Sequence, residues 1–281
     1  MSVSPIPRLA HFVFGFREQS EPFHLLHYLA IESCRRLIEP EQIFLHYRNL
    51  PYGPYWELAR PHLTLVTVDE IDAVAEATYD ERLVPAEFRY AHHADFVRLD
   101  ALLTYGGIYA DIDTLFLRPF PAELFDADFV IGRESDVRDE VTGERRPSLC
   151  NALLLARPDA EFARVWRARM AVALNGTWSN HSGFLAQQLS IELPEQVRSE
   201  PPASFFPVGS EPDELARLFG ADEVDVSASY SLHWWSHLWW SRERRDFSST
   251  YGDQFTPDYI TTVDTAFNRL ARPFVPEVTW F

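Results

Sequence analysis

The chain contains no lysine, only two cysteines and no long apolar stretch, and each shortage excludes a class of function. Without lysine there can be no lysine Schiff base and no phosphate-binding loop that depends on a lysine ammonium group. The two cysteines, Cys34 and Cys150, cannot form a framework of disulfides, and both are predicted to be small core residues. No run approaches the ~20 consecutive apolar residues that a membrane-spanning helix needs.

Positive charge is also scarce, because 25 basic residues face 42 acidic ones and the formal net charge is −17. Nucleic acids and anionic membrane surfaces bind positively charged proteins, so neither is an expected partner. An anionic ligand would need a local source of positive charge, such as a metal ion or a well-placed arginine. The N-terminal segment lacks a basic region followed by an apolar one, and we therefore expect a cytoplasmic protein.

The order of apolar runs and helical patterns predicts an α/β fold with a mainly parallel sheet flanked by helices. The predicted strands are 6–16, 42–47, 63–68, 108–113, 129–132 and 151–156, and the predicted helices are 22–38, 90–105 and 158–174. Asp69 is expected to cap a helix after the third strand, and the polar segment 134–148 is expected to be an exposed loop. No linker-like composition divides the chain, so residues 1–281 are expected to form one domain.

The most informative segment is HHADFVRLDALLTYGGIYADIDTLFLRP, which spans residues 92–119. It combines a helix, a Gly-Gly stop, an apolar strand and the carboxylates of Asp111 and Asp113 where that strand ends. Ligands bind at the carboxyl ends of strands in α/β sheets, and a turn there can bring both carboxylates around a divalent metal ion. Such an ion would hold a diphosphate and supply positive charge that the chain otherwise lacks.

Asp95 and Arg98 lie three residues apart on the helix before this strand, so they share one face. The helix is apolar on most sides and is expected to be buried, where unpaired charges are costly. Two interpretations fit the spacing equally well. One is a structural ion pair, and the other is a polar pair that faces a sugar and its phosphates.

Taken together, these residues resemble the sugar-binding segment of the DXD-motif glycosyltransferases of family thirty-two, which are retaining and metal-dependent. That family includes yeast mannosyltransferases and animal α-1,4-galactosyltransferases. The segment is also similar to that of the clostridial glucosylating toxins, with a pattern of roughly S-D-x-x-R followed by G-G-x-Y-x-D-x-D. The matching residues are Asp95, Arg98, Gly106, Gly107, Tyr109, Asp111 and Asp113, with Ala94 in place of the small polar residue.

Two strands extend the resemblance. The first, PRLAHFVFG, is similar to a strand whose aromatic side chain stacks on the nucleotide base, and Phe14 takes that position here. The second, CNALLLARP, resembles a strand that lies near the sugar, with Asn151 at the matching position.

A segment near the C-terminus, LHWWSHLWW, resembles the family's H-x-W element, in which a histidine completes the metal site. The resemblance favours His233 as this ligand, with His237 as the alternative. The segment's tryptophans Trp234, Trp235, Trp239 and Trp240 would suit a flat hydrophobic acceptor, but they would equally suit a core. His92 and His93 match no functional position and are expected to be structural, whereas residues 180–182 lie where the family has a small polar turn near the acceptor.

The resemblance implies the GT-A fold and a Mn²⁺ or Mg²⁺ ion held by Asp111, Asp113 and His233. It implies that this ion and Arg98 neutralise the departing diphosphate, that Asp95 holds sugar hydroxyls and that Tyr109 contacts the ribose or a phosphate. The donor-binding residues that it implies are Phe12, Val13, Phe14, Asp95, Arg98, Tyr109, Asp111, Ile112, Asn151 and Trp235. No catalytic nucleophile is evident, and same-face attack by the acceptor hydroxyl would not need one.

The resemblance also implies the class of substrate. The donor is expected to be a nucleotide-sugar, and the toxin-like first strand favours a UDP-sugar such as UDP-GlcNAc or a UDP-hexose. The acceptor is expected to carry a hydroxyl group and to be either a small aromatic molecule or a glycan.

Two other functions are compatible with parts of the pattern. Asp111-Ile112-Asp113-Thr114 also fits the D-x-D-x-T motif of haloacid-dehalogenase-type phosphatases, in which the first aspartate is phosphorylated. That family carries its motif on the first strand and needs a lysine to hold the phosphate, and this chain has neither feature. The remaining alternative is an inactive sugar-binding protein.

Overall fold

The computed structural model describes residues 5–79, 84, 86, 89–239 and 252–277. The strands are β1 (Leu9–Phe14), β2 (Gln42–Tyr47), β3 (Thr64–Thr67), β4 (Gly107–Ala110), β5 (Thr114–Phe116), β6 (Phe129–Arg133), β7 (Val137–Arg138), β8 (Arg145–Arg146), β9 (Leu149–Ala156), β10 (Arg198–Glu200) and β11 (Ser231–His233). The α-helices are α1 (Leu25–Leu37), α2 (Pro54–Ala59), α3 (Asp72–Ala75), α4 (Arg89–Tyr105), α5 (Ala122–Phe125), α6 (Glu161–Ala173), α7 (Leu185–Glu192), α8 (Pro202–Phe205), α9 (Pro212–Leu218), α10 (Pro257–Thr262) and α11 (Ala266–Ala271). A π-helical turn covers Asn180–Phe184, and short 3₁₀ segments cover Arg60–His62, Pro194–Gln196, Ser236–Leu238, Gly252–Gln254 and Arg272–Phe274.

Seven strands form the central sheet, in the order β10-β6-β9-β4-β1-β2-β3. β1 runs parallel to β2 and β4, β3 runs parallel to β2, and β10 runs parallel to β6. Only β9 is antiparallel to its neighbours β4 and β6 among these seven strands. The predicted α/β class with a mainly parallel sheet is therefore confirmed. β5 pairs with β11, and β7 pairs with β8, in two small antiparallel ribbons.

The central sheet is buried on both faces. Successive residues of a strand point to opposite sides, so Phe12 packs in one apolar cluster and its neighbour Val13 packs in the other. The first cluster contains side chains of α1, and the second contains side chains of α4 and α6. Because the side chains in the middle of the central strands are buried on both faces, a ligand can best reach this sheet at the ends of its strands.

Several predicted elements differ from the observed ones. The strand predicted over 108–113 ends at Ala110, because the chain turns there and the Thr114 amide donates to the Asp111 carbonyl (3.1 Å). The expected cap at Asp69 is wrong, since the next helix begins at Asp72 without a side-chain cap. The loop predicted over 134–148 contains the short β7–β8 hairpin.

Two glycines allow α4 to be followed at once by β4. Gly106 and Gly107 have φ angles of +65° and +104°, which favour glycine. A Cβ atom on Gly107 would lie 2.5 Å from the Leu9 carbonyl oxygen, so a side chain there would push β4 away from β1. The predicted Gly-Gly stop therefore also permits the close approach of these two strands.

Two buried histidines join β1 to β2 and to the Gly-Gly stop. His11 Nε2 lies 2.9 Å from the Gly106 carbonyl oxygen, and His11 Nδ1 lies 3.1 Å from His46 Nε2. Because a carbonyl only accepts, the proton of His11 sits on Nε2, and Nδ1 accepts a hydrogen bond from His46. Burial lowers the pKa of His11 to about 4 and the pKa of His46 to about 3, so both rings are neutral at neutral pH.

We predict that this pair makes folding sensitive to mild acid. Both pKa values lie below the ordinary 6.5, so the unfolded chain binds more protons than the folded protein as the pH falls from about 6.5 towards 4. The free energy of unfolding, measured by urea denaturation, should decrease over this interval. His46→Gln keeps an N–H donor for His11 but cannot titrate, so its stability should fall less steeply. Equal slopes in the variant and the wild type would contradict the assignment.

Candidate active site

The Asp-x-Asp turn lies at the carboxyl end of β4, and the β5–β11 ribbon brings a distant histidine to it. β5 begins directly after Asp113, and in the antiparallel ribbon Thr114 lies opposite His233. The Trp234 amide donates to the Asp113 carbonyl (3.1 Å), which fixes the two segments together. These contacts span about 120 residues of chain, and they bring together the three residues that the resemblance implied as metal ligands.

Asp111, Asp113 and His233 place one potential ligand atom each within 4.8 Å of the others. His233 Nε2 lies 2.8 Å from Asp113 Oδ1 and 3.9 Å from Asp111 Oδ2. The second Asp113 oxygen, Oδ2, accepts hydrogen bonds from the Ser236 amide and hydroxyl, both at 2.8 Å. Two carboxylates and an imidazole form a donor set that suits Mn²⁺, and the carboxylates also suit Mg²⁺.

The charges of this group show why it favours a cation. Burial would raise the pKa of Asp113, but the charge of His233 and the hydrogen bonds from His233 and Ser236 outweigh burial and hold it well below its usual range. The pKa of Asp111 is raised by burial and by the neighbouring Asp113, against the opposing charge of Arg98. Ionising Asp111 beside the already ionised Asp113 is therefore unfavourable, and a bound divalent ion would stabilise the pair of negative charges.

Arg98 holds the two aspartates on either side of it. Its Nη2 lies 2.9 Å from Asp95 Oδ1 and 3.3 Å from Asp111 Oδ1. The side chain of Arg98 is only 4% exposed, and that of Asp95 is 8% exposed. The pair predicted from helical spacing thus forms, and it extends to the first aspartate of the Asp-x-Asp turn.

The other N–H groups of Arg98 are also engaged. Nη1 donates to the Asn151 carbonyl (2.6 Å), and Nε donates to the Ala94 carbonyl (3.2 Å). The guanidinium carbon lies 4.6 Å from the centroid of the Tyr109 ring. In this arrangement Arg98 faces protein groups on all sides, and its expected contact with a diphosphate remains a prediction.

Tyr109 also contacts the turn. It is buried in β4, and its hydroxyl donates to Asp111 Oδ1 at 2.5 Å. Burial and the two neighbouring aspartates raise the pKa of Tyr109 well above its usual value, so the phenol stays protonated. Its hydroxyl therefore orients Asp111, and the predicted ribose or phosphate contact of Tyr109 remains a prediction.

Asp95 is the centre of a second polar cluster, which the sequence only partly indicated. Its Oδ1 accepts from the Asn151 amide (2.7 Å), and its Oδ2 lies 2.8 Å from His181 Nε2. His181 is fully buried in the π-helical turn and packs edge-on against His92, with ring centroids 4.4 Å apart. The Tyr79 hydroxyl lies 2.8 Å from His92 Nδ1, and the structural role expected for His92 stays a prediction.

His92, Asp95 and His181 also place ligand atoms within 4.8 Å of one another. Asp95, however, already pairs with the guanidinium of Arg98, whose positive charge disfavours a second cation at this point. Arg98 also contacts Asp111, but the Asp111–Asp113–His233 group contains a second carboxylate, Asp113, and therefore favours a cation more strongly.

The side chains predicted to bind the donor occupy different environments. Phe14, at the end of β1, is half-buried, with its ring centroid 5.0 Å from that of Phe23 and 4.7 Å from that of His27. Phe12 lies on the same face of the sheet as Phe14, but it is fully buried in the first apolar cluster, and its expected donor contact remains a prediction. Val13 is buried among the residues that pack on α4, and Ile112 is half-buried in the turn.

The aromatic segment after β11 is mostly core. Trp234 and Trp239 are fully buried, and Trp235 donates from Nε1 to the Val208 carbonyl (3.0 Å) while its ring packs against His233. Trp240 lies outside the described residues. His237 stacks on Trp178, with ring centroids 4.9 Å apart, and it is not part of the Asp111–Asp113–His233 group, called the metal group below.

Glu134 is a residue at this edge that sequence reasoning missed. It follows β6 and was assigned to an exposed loop, but it is half-buried, and its Oε1 accepts from the Ser148 hydroxyl at 2.7 Å. Burial raises the pKa of Glu134 to about 7, against the lowering effects of Ser148 and of the charge on His233. Only the tertiary structure could reveal it, because nothing in its local sequence resembles a motif.

Residues 30–135 match the family described as "Glycosyltransferase sugar-binding region containing DXD motif". Over 279 residues the chain is 30% identical to "Glucan organizing enzyme 1" of Cryptococcus neoformans var. grubii serotype A, a match that covers 96% of this chain and 71% of that protein. The chain belongs to this family of glycosyltransferases. The transferase has the predicted α/β architecture, a mainly parallel sheet flanked by helices, with the Asp-x-Asp turn after β4. The phosphatase interpretation of the same aspartates is not supported.

Solved structures similar to the transferase include an active-site mutant of LgtC, with a TM-score of 0.48 at 15% identity over 96% of this chain and 98% of that one. The PaToxG glycosyltransferase gives a TM-score of 0.42 at 18% identity over 68% of this chain and 71% of that one. Mouse xyloside xylosyltransferase 1, in its apo form, gives a TM-score of 0.40 at 15% identity over 69% of this chain and 85% of that one. Within the described part of the transferase, no helix has both the length and the apolar character needed to cross a bilayer.

Arg98→Met should destabilise the transferase strongly. It would leave Asp95 and Asp111 buried without their cation, and breaking a buried ion pair costs about 3–5 kcal/mol of unfolding free energy. A matched control is Arg167→Met. Arg167 on α6 pairs with Asp100, which lies on α4 as Arg98 does, but both side chains of this pair are partly exposed. That exposed pair should contribute less than about 1 kcal/mol. Urea denaturation measures both, and equal losses would contradict the role assigned to Arg98.

Proposed function

We propose that this chain is a metal-dependent, retaining glycosyltransferase that moves a sugar from a UDP-sugar to a hydroxyl acceptor. The observation that carries the proposal is the group of Asp111, Asp113 and His233 at the carboxyl end of β4. In a chain without lysine and with a net charge of −17, a cation held by this group is the expected means of binding a diphosphate.

In this proposal a Mn²⁺ or Mg²⁺ ion would be held by Asp111, Asp113 and His233. When bound, it would neutralise charge that develops on the leaving diphosphate. Ser236 would keep Asp113 ionised and fixed, because it donates two hydrogen bonds to one carboxylate oxygen. His233 would bind through Nε2, and the proton would then lie on Nδ1, which makes no hydrogen bond to any described residue.

The sugar would be held by the Asp95 cluster. Asp95 is fixed by Arg98, Asn151 and His181, and this fixed carboxylate is suited to accept hydrogen bonds from sugar hydroxyls. Arg98 would act mainly by holding Asp95 and Asp111 at a constant separation. Its contribution to neutralising the diphosphate remains part of the proposal.

The acceptor, a small aromatic molecule or a glycan, would lie beside Trp178 and His237. Trp178 is partly exposed and stacks on His237, which follows Ser236 and therefore lies next to the metal group. Aromatic surfaces bind the apolar faces of sugars as well as aromatic rings. The Glu140 carboxylate accepts a hydrogen bond from the Trp178 amide (2.7 Å), so the β7–β8 hairpin borders the same region.

We also propose that residues 1–281 form one domain. Seven strands between Leu9 and Glu200 form one sheet, and His233 from the C-terminal part pairs with Thr114 beside the turn that follows β4.

Release of nucleotide tests the function directly. The purified protein should release UDP from one or more members of a UDP-sugar panel, and the reaction should require Mn²⁺ or Mg²⁺ and stop in excess chelator. Asp113→Asn should abolish release while the protein stays folded, because the lost charge belongs to the metal group. Asp258→Asn, an exposed change on α10, is the matched control and should be fully active.

Other outcomes would separate the alternatives. Full activity of Asp113→Asn, or activity without divalent ions, would refute the metal assignment. Release of inorganic phosphate would indicate a phosphatase, whereas no release from any nucleotide-sugar would indicate an inactive sugar-binding protein. If the protein prefers GDP-sugars as donors, the proposed glycosyl transfer stands, but the proposed nucleotide, UDP, is wrong.

Phe14 tests the nucleotide contact. Phe14→Ala should raise the donor KM more than it lowers kcat, because base stacking exists in both the ground and the transition state. The loss should be about 1–3 kcal/mol, as for base–aromatic stacking elsewhere. Phe14→Trp should restore binding. If KM is unchanged and only the melting temperature falls, the ring serves solely to pack against Phe23 and His27.

A further inference from the structure

The proposed function requires more positive charge than the Asp-x-Asp group and Arg98 supply. A divalent ion would do little more than balance the charges of Asp111 and Asp113, and a diphosphate adds at least two more negative charges. Arg98 is buried, and each of its three side-chain nitrogens already contacts a protein oxygen. A diphosphate bound at this turn therefore needs a cation from elsewhere in the chain.

The end of β1 supplies a cation at the same edge of the sheet. β1 and β4 are adjacent and parallel, with His11 opposite Tyr109. Advancing this register by two residues on each strand places Val13 level with Asp111. The chain that leaves β1 after Phe14 therefore emerges beside the Asp-x-Asp turn, and Arg17 is its first charged residue.

The backbone that carries Arg17 is anchored. The Gly15 carbonyl accepts from both the backbone amide (2.8 Å) and the side-chain amide (3.0 Å) of Asn49, and Gln19 donates to the Arg17 carbonyl (2.7 Å). Gly15 has a φ angle of +77°, so the strand ends in a sharp turn. The direction in which the chain leaves β1 is therefore fixed by the fold.

The side chain of Arg17 is exposed and forms no ion pair with any residue that the structure describes. Its guanidinium carbon lies 5.2 Å from the centroid of the Tyr90 ring. Such a contact orients a guanidinium group while leaving its charge uncompensated. Arg17 thus differs from Arg98, whose charge is already balanced by two carboxylates.

Two neighbouring side chains link Arg17 electrostatically to the aspartates. Burial raises the pKa of Tyr90; the charge of Arg17 opposes this effect, and the charges of Asp113 and Asp111 add to it. Burial likewise lowers the pKa of His27 to about 3, and Asp113 and Arg17 act on that ring in opposite directions. Tyr90 and His27 are therefore both within electrostatic range of Arg17 and of Asp113.

We propose that Arg17 is the second cation of the donor site and binds the diphosphate of the nucleotide-sugar from the β1 side, with Tyr90 orienting its guanidinium group. The inference rests on the proposed function. A guanidinium group is well suited to this role because its donors match phosphate oxygens in pairs. The same contact would persist with the nucleoside diphosphate product, so Arg17 would retain UDP after transfer.

The test compares UDP with uridine, which lacks phosphates. Calorimetry in Mn²⁺ should show that Arg17→Gln weakens UDP binding by at least about tenfold, as expected for loss of a charge-assisted hydrogen bond. Uridine binding should be unchanged, because base stacking does not involve Arg17. Arg17→Lys keeps the charge but loses the paired donors, and should fall between the two proteins.

Arg60→Gln is the matched control. Arg60 is also exposed, but it precedes the amino end of β3 and so lies at the opposite edge of the parallel strands. It should bind UDP as the wild type does, and a melting curve for each variant confirms folding. If Arg17→Gln binds UDP as tightly as the wild type, or loses as much affinity for uridine as for UDP, this inference is wrong and the proposed function still stands. A wild-type protein that binds no nucleoside diphosphate would overturn it together with the proposed function.

Discussion

The candidate site depends on one buried guanidinium group. Arg98 on α4 joins Asp95 on its own helix, Asp111 after β4 and the Asn151 carbonyl on β9. These contacts bind a helix, a turn and an antiparallel strand into one polar unit within an apolar core. Because each partner would be costly to bury alone, the three elements must reach their positions together for any of them to be stable there.

The net negative charge of the chain determines how it can recognise an anionic substrate. A strongly acidic protein repels anionic substrates at long range, so recognition of a phosphate group depends on short-range cations. The structure separates two kinds of arginine. Arg98 is neutralised by carboxylates and stabilises the site, whereas Arg17 is exposed and forms no ion pair within the described part of the chain.

Local sequence patterns predicted the α/β class, the strand from Gln42 to Tyr47 without error and the helix that carries Asp95 and Arg98. The resemblance added His233, which no local pattern could connect to Asp113. The contacts of His181 with Asp95, of Glu134 with Ser148 and of Arg17 with Tyr90 were not predictable, because each one forms only in the tertiary structure. Helical spacing paired Asp95 with Arg98, but it could not reveal how many other groups Arg98 contacts.

The antiparallel direction of β9 determines which part of the chain can vary. β9 begins, at Leu149, at the same edge where β4 and β6 end, and it finishes at the far edge. The connection from β6 to β9, which contains the β7–β8 hairpin, therefore runs along the rim of the site and contributes nothing to the two apolar clusters until Leu149. Its length and composition can diverge between relatives without disturbing the core. Changes of acceptor during evolution should accordingly concentrate in this hairpin, while the sheet beneath it stays constant.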